Sequence, residues 1–188
     1  MRNSTRAKGF SLLELMAVMA ILAVLGTIAL FSYKVYLRKA RNGEAVAFLM
    51  DIKMKQETYF MAYSQYVSTA TTPDGFYPDS FPVAPSPWIT NSRPWNCSAP
   101  ANIAITGFCA LGISPTSDDT YFQYVTMGWD PVVNKNVPAA GAKGAYIRDP
   151  TRRWWFARAR GFAGTGATLP FEFRTSSEVS EIIEIPPD

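Results

Sequence analysis

The sequence predicts an α+β fold, a long N-terminal helix packed on a small antiparallel β-sheet domain, and three observations predict it. All fourteen prolines fall at or after Pro73, so the strongest helix breaker is kept out of the first third of the chain. Inside that proline-free region, Ser11 to Phe31 form an apolar run whose only charge is Glu14. Beyond residue 100, short runs rich in β-branched and aromatic residues alternate with turn residues. A chain of 188 residues, about half of them apolar, supports one small domain plus an extension.

Residues 1–9 read as a basic leader carrying Arg2, Arg6 and Lys8. Those three account for the whole formal net charge of +3, since the other Lys and Arg then equal the 15 acids in number. The body is neutral and offers no electrostatic ground for nucleic-acid binding as a whole. Basic residues ahead of an apolar segment keep that end cytoplasmic and send the rest of the chain outward. Ser11 to Tyr33 is long enough to span a bilayer, which takes roughly twenty mostly apolar residues. A cleaved secretory signal has an apolar region of only about 7 to 15 residues before a small-residue site, and the run here continues without a polar break. A carboxylate at Glu14 costs roughly 2.5 to 3.5 kcal/mol in hydrocarbon, so it calls for a partner.

The helix is expected to continue past the membrane, over 10–66, with 10–33 as its membrane-spanning and assembly portion. Ala45, Phe48, Leu49, Ile52, Tyr59 and Tyr63 keep to helical spacing with Lys53, Lys55 and Glu57 interspersed. At 1.5 Å per residue such a helix is roughly 85 Å long, so its outer portion must lie against something, most simply the chain's own C-terminal domain. Gly26 and Gly43 are its soft points, each weakening it by about 1 kcal/mol relative to alanine. Lys34, Arg38, Lys39 and Arg41 form a cationic collar at the end of the span, suited to snorkelling toward headgroups or to acids such as Glu44 or Asp51 of another copy.

Residues 67–100 read as a connector loop, since Pro73, Pro78, Pro82, Pro85, Pro87, Pro94 and Pro100 forbid long regular elements. Its aromatics Phe76, Tyr77, Phe81, Trp88 and Trp95 argue for a folded-over segment and against a floppy one. Residues 101–188 are expected to form the sheet, with strands at Asn102–Phe108, Tyr121–Met127, Trp154–Arg160, Phe171–Thr175 and Glu181–Ile185, and a hairpin turn at Gly161–Gly166. Alternation of Trp154, Phe156 and Arg158 with Trp155, Ala157 and Ala159 makes both faces of one strand partly apolar.

Cys97 and Cys109, the only cysteines, are expected to be bridged in an outward-facing domain, with two buried thiols as the other reading; a loop of that length is worth about 3 kcal/mol when closed. The chain has no histidine, which excludes Ser-His-Asp and Cys-His catalysis, and the cysteine spacing matches no zinc pattern. Asp118 and Asp119 fit a turn better than a calcium site. No enzyme activity, metal or cofactor is expected. Arg152, Arg153, Trp154, Trp155, Arg158 and Arg160 form a basic and aromatic cluster. It reads either as a surface that stacks on bases or sugars and holds phosphates, or as a strand whose tryptophans fill the core while its arginines cover the sheet.

Lys8-Gly9-Phe10-Ser11-Leu12-Leu13-Glu14, followed by the apolar helix, resembles the N-terminus of type IV pilins and the related type II secretion pseudopilins. The resemblance implies cleavage between Gly9 and Phe10 by a prepilin peptidase, N-methylation of Phe10, and pairing of Glu14 with the N-terminal amine of a neighbouring subunit. It implies other pilin subunits and an inner-membrane assembly machinery as partners. The subunit is then single-pass in the inner membrane with its N-terminus cytoplasmic, and later part of an extracellular pilus or periplasmic pseudopilus. The expected function is that of a structural subunit of a type IV pilus serving adhesion and twitching motility, with a type II secretion pseudopilin or a DNA- or glycan-binding minor pilin as alternatives. Two departures stand out: Phe31 occupies the place of the proline common inside major pilin helices, and the cysteine pair lies mid-domain where such pilins bracket the C-terminal region.

Overall fold

In the computed structural model, residues 11–78, 89–90, 97, 102–114, 119–132, 136, 147–149, 151–162 and 170–185 are described. The chain divides into two compact units, Met1–Ala40 and Arg41–Asp188. In the first, helix α1 (Leu12–Tyr63, continuing into the second unit) leaves every residue from 11 to 33 exposed. The Thr27 hydroxyl, in the middle of its apolar stretch, donates to the carbonyl of Val24 at 2.7 Å, which satisfies it within the helix.

In the second unit, α1 buries Ala45, Leu49, Ile52 and Gln56, spaced four, three and four residues apart along one stripe. Leu49 and Ile52 enter a core with Ile105, Phe108, Tyr124, Trp155, Ala157, Ala159 and Phe173. Gln56 ends the stripe with its amide pairing both backbone groups of Val67, donating to its carbonyl at 2.7 Å and accepting its N–H at 3.0 Å. It thereby ties the helix to the chain that returns from it. Helix α1 stops at Tyr63 because Ser64 adopts a left-handed φ of 57°.

Four strands form the sheet: β3 (Phe122–Gly128), β4 (Trp155–Phe162), β5 (Pro170–Ser176) and β6 (Val179–Ile185), antiparallel in the order β3-β4-β5-β6. A separate two-residue pair, β1 (Ile89–Thr90) with β2 (Asp119–Thr120), was not foreseen from the sequence. The outer side of β3 is covered by the returning chain: Tyr66 donates to the Trp129 carbonyl, Thr69 to that of Thr126, and Tyr77 and Tyr124 exchange a pair of backbone bonds. The described part of the expected connector therefore folds along the sheet. Among the described residues β6 carries no further strand. The sheet's second face holds Ala70, Phe76, Val125, Met127, Ile147, Trp154 and Phe156, so β4 is buried on both sides.

Two expectations need correction. Asn102–Phe108 is not a strand; helix α2 runs Ile103–Leu111. Asn102 caps it, its side chain accepting the Ile105 N–H at 2.9 Å, and Gly112 closes it at a φ of 67°, a left-handed conformation suited to glycine. Ile105, Phe108 and Leu111 then share the buried side at helical spacing, which overrides the β-branched character of Ile103, Ile105 and Thr106. Gly161 and Phe162 are not turn residues but belong to β4, while 163–169 lie outside the described residues. A side chain at Gly161 would come within 2.6 Å of the Phe122 ring, so a strand glycine is required by close approach.

Candidate functional site

Gly9 and Phe10 lie outside the described residues, which begin at Ser11. From there the site is built on the first turn of α1. The Ser11 backbone N–H donates to Glu14 Oε2 at 3.4 Å and the Glu14 N–H donates to Ser11 Oγ at 3.2 Å. This reciprocal pair is a capping box, which satisfies donors that every helix start leaves open and sets a carboxylate against the positive end of the helix. Ser11 entered the sequence reading only as part of the Lys8 to Glu14 motif and of the apolar run, although its spacing to Glu14 is the sequence signature of such a cap. Glu14 thus has an intramolecular partner in the free subunit, Ser11, the residue that follows Phe10 in the sequence.

Around Glu14 the helix presents Leu12, Leu13, Leu15 and Met16 at 61 to 79% exposure. By length and composition this helix, with a stretch of mean hydropathy 2.5, is sufficient to cross a membrane.

The outer portion of α1 carries a second apolar feature. From residue 41 to Tyr63 its exposed positions are Gly43, Ala47, Met50, Met54, Thr58, Met61, Ala62 and Tyr63, and none is charged. Arg41, Glu44, Asp51, Lys53, Lys55 and Glu57 all occupy its half-buried flanks. An ordinary surface helix places its charges on the outward stripe, so this distribution is inverted. It was legible in the spacing of the methionines, but only once the buried stripe is known.

Of the expected collar, the side chains of Lys34 and Arg38 lie outside the described ones. The Arg41 guanidinium stacks 4.8 Å from the Tyr121 ring centroid. Glu44 is committed within its own domain, since Oε1 accepts the Tyr121 N–H at 3.1 Å and the Tyr124 hydroxyl at 3.2 Å. Burial pushes its carboxyl above the usual range, against the lowering effect of those bonds. Burial and the neighbouring Glu44 carboxylate likewise push the Tyr124 phenol well up.

The tryptophan and arginine cluster is divided by the structure, and the reading of it as one ligand surface is corrected. Trp154 and Trp155 are 0% exposed on opposite faces of the sheet, which removes any platform for stacking on a base or sugar. The Trp155 indole N–H donates to Glu57 at 2.6 Å. Arg158 grips Glu172 bidentately at 2.7 and 3.0 Å and also reaches Asp74, while Arg158 and Arg160 stack on Phe76 at 4.7 and 4.0 Å. Burial opposes ionisation of Glu172, but the hydrogen bonds and charge of Arg158, with the charge of Arg174, outweigh it and hold the carboxyl below the usual range. Arg152 and Arg153 alone of the cluster are exposed.

A disulfide joins Cys97 to Cys109, with Cα atoms 5.4 Å apart, and fastens α2 to the segment before it. Asp118 and the Asp119 side chain lie outside the described residues.

No curated protein and no solved structure matches the chain. Residues 4–30 match the family described as the prokaryotic N-terminal methylation motif, a span that contains Gly9, Phe10 and the Ser11–Glu14 cap. The chain thus carries the signal motif of type IV prepilins and pilin-like proteins.

Proposed function

We propose that this chain is a structural subunit of a type IV pilus, anchored in the inner membrane until it is assembled through α1 into a surface fibre. The observation that carries the reading is the unburied apolar surface of α1. All residues from 11 to 33 are exposed, and the outward positions from Gly43 to Met61 are uncharged. A bilayer accounts for the first region but not for the second, whereas a fibre of parallel copies covers both. The partners are other pilin subunits, the prepilin peptidase that cuts between Gly9 and Phe10, and the inner-membrane assembly machinery. The role is structural, without catalysis or cofactor. Two buried tryptophans speak against the DNA- or glycan-binding reading built on them.

Processing is tested by mass spectrometry of the protein from the envelope, which should show a mature chain beginning at methylated Phe10. A mature N-terminus at or after Ala20 would return the chain to the ordinary secreted class. Pilus is separated from pseudopilus by location: the subunit should be recovered in fibres sheared from the cell surface, and a deletion should abolish motility and leave type II secretion intact.

The role of Glu14 is tested with Glu14→Gln. Glutamine serves a capping box as glutamate does, so insertion, cleavage and folding should persist, while the charge that would meet a neighbour's Phe10 amine is gone. Assembly should fail. Normal incorporation of the variant into sheared fibres, measured on this subunit itself, would reduce Glu14 to a helix cap.

A further inference from the structure

We propose that Glu184 of one copy docks in an arginine-lined cavity of the next copy, and so forms a head-to-tail contact between outer domains. The cavity, of about 550 Å³, opens at the turn between β5 and β6 and the start of β4. Arg148, Arg152 and Arg153 line it together with Glu57, Asp149 and Glu178, so its formal charge is zero. The hydrogen bonding is not balanced. Glu57 accepts from the Trp155 indole and the Tyr66 hydroxyl. Each Glu178 oxygen takes a backbone N–H, from Arg148 at 2.8 Å and Asp149 at 2.7 Å. Asp149 is filled by Thr151 and by the Nε of Arg152 at 3.2 Å.

Every carboxylate oxygen in the cavity is therefore engaged, whereas the Arg148 guanidinium has no partner among the described residues and Arg152 uses only Nε. Trp154, 0% exposed, also lines the cavity, and its indole N–H is unpartnered. Arg153 is held aside, donating to the Ser64 carbonyl at 3.2 Å and stacked on Phe60 and Trp129. A site with surplus forked donors and no net charge suits one carboxylate held at short range. A nucleic acid needs a net positive surface to release its counterions, and this cavity lacks one.

The complementary group is on the same chain. Glu184 is exposed on β6, which among the described residues has no strand on its outer side, and has no partner among those residues. Charge on an edge strand obstructs strand-to-strand addition, which leaves ionic docking as the way this edge meets a neighbour. At a rise of about 3.3 Å per residue, Glu184 stands about 20 Å along β6 from Glu178 at the cavity, too far to reach its own arginines. Donor and acceptor patches thus occupy different places on one subunit. Such a heterologous contact propagates into a ring or a helical fibre. The inference rests on the fibre reading for the proximity of copies.

The test uses full-length protein in the producing cell, with Arg148→Glu, Glu184→Arg and the two combined. Each single reversal should lower the share of mature subunit in sheared fibres by on the order of tenfold, because attraction becomes repulsion, and the double reversal should restore most of it. Unchanged assembly of the single variants, or a double variant as poor as the singles, overturns the contact. Protease resistance of each variant shows that the domain still folds. A second arm does not depend on surface fibres. Copies carrying Arg148→Cys and copies carrying Glu184→Cys, coexpressed and treated in cells with a bismaleimide, should give a crosslinked dimer of mature subunits. Absence of that dimer overturns the contact even where fibres form. A crosslink in cells whose wild-type subunit never enters sheared fibres would leave the contact standing and remove the pilus reading.

Discussion

One helix, two regimes: within α1, residues 11–33 have no buried side, whereas residues 41–63 have a buried stripe, charged flanks and an uncharged outward face. In the first region the apolar residues run all the way round, so no packing within the subunit can be their purpose. In the second, the buried stripe of Ala45, Leu49, Ile52 and Gln56 is what holds the domain, and the outward stripe of Gly43, Ala47, Met50, Met54, Thr58 and Met61 is surplus to it. Burial inside the subunit accounts for one half of a helix and leaves the rest of its apolar surface for a bilayer or for other copies. Predictions that separate the two regimes differ in where a substitution is felt.

The largest difference should come from cutting large side chains in each region. Trp155→Ala removes a fully buried side chain and leaves Glu57 without its indole donor, and is expected to cost about 3 to 5 kcal/mol. Leu22→Ala, at 56% exposure, should leave the stability of the outer domain unchanged and act only on insertion or assembly. Denaturant unfolding of the detergent-solubilised full chain, followed by tryptophan fluorescence, checks both. A stability loss at Leu22 comparable to that at Trp155 would erase the distinction between the regions.

Next in size is the buried ion network. Glu172→Ala removes the bidentate partner of Arg158 and an acceptor of Arg174 on the second face of the sheet and should cost up to about 3 to 5 kcal/mol, less to the extent that Asp74 and the Pro73 carbonyl keep Arg158 paired. Because the Glu172 carboxyl is held below its unfolded value of 4.5, its contribution is present above that pH and is lost as pH falls through the folded value. Acid unfolding monitored below about pH 4.5 should therefore be less steep in the variant. Opening the bridge with paired Cys97→Ser and Cys109→Ser changes should lower stability by about 2 to 5 kcal/mol without affecting cleavage at Gly9. Reduction followed by intact mass checks that the bridge was there.

Local patterns made much of this legible. The proline boundary and the apolar run announce α1, and four of the five expected strands lie within one to two residues of β3 to β6 at most ends. The mistake at α2 was a competition between two local signals: Ile103, Ile105 and Thr106 favour a strand, while Asn102 and Gly112 mark a helix start and stop, and the caps prevailed because Ile105, Phe108 and Leu111 meet the core only at helical spacing. The capping box is legible in the spacing of Ser11 and Glu14, and the same carboxylate also reads as a charge in the apolar run, so the spacing by itself does not say which role it has. Other parts have no local signal. That Tyr77 pairs with Tyr124 is a contact across 47 positions of sequence, and the division of the tryptophan cluster between two faces depends on what covers each face. The arginine cavity brings together α1, the 148–153 segment and the β5–β6 turn, which no window of sequence contains.

The smallest predicted effect sharpens the comparison at its carboxylates, because α1 carries one in each regime: Glu14 caps the helix start, and Glu44 clamps β3. Glu44 takes the Tyr121 N–H on both oxygens, more closely on Oε1 (3.1 Å) than on Oε2 (3.4 Å), and the Tyr124 hydroxyl on Oε1, so Glu44→Gln with its carbonyl in the place of Oε1 keeps an acceptor for both and removes the charge and the longer bond. Burial raises the folded pKa of Glu44 above 4.5, so the native state binds this proton more tightly than the unfolded chain does. The stabilisation that follows from that tighter binding is fully present below the unfolded pKa and is lost as pH rises through the folded value, opposite in sign to Glu172. Glu44→Gln should therefore be as stable as the parent or slightly more so at neutral pH. Its advantage should shrink as the parent is acidified toward pH 4.5, where the parent's carboxyl becomes neutral too. Unfolding free energies of parent and variant measured side by side between pH 7 and pH 4.5 decide it. A variant clearly less stable at neutral pH would show that the negative charge itself clamps β3, with the Arg41 guanidinium, stacked on Tyr121 close by, as the first candidate for its counter-ion.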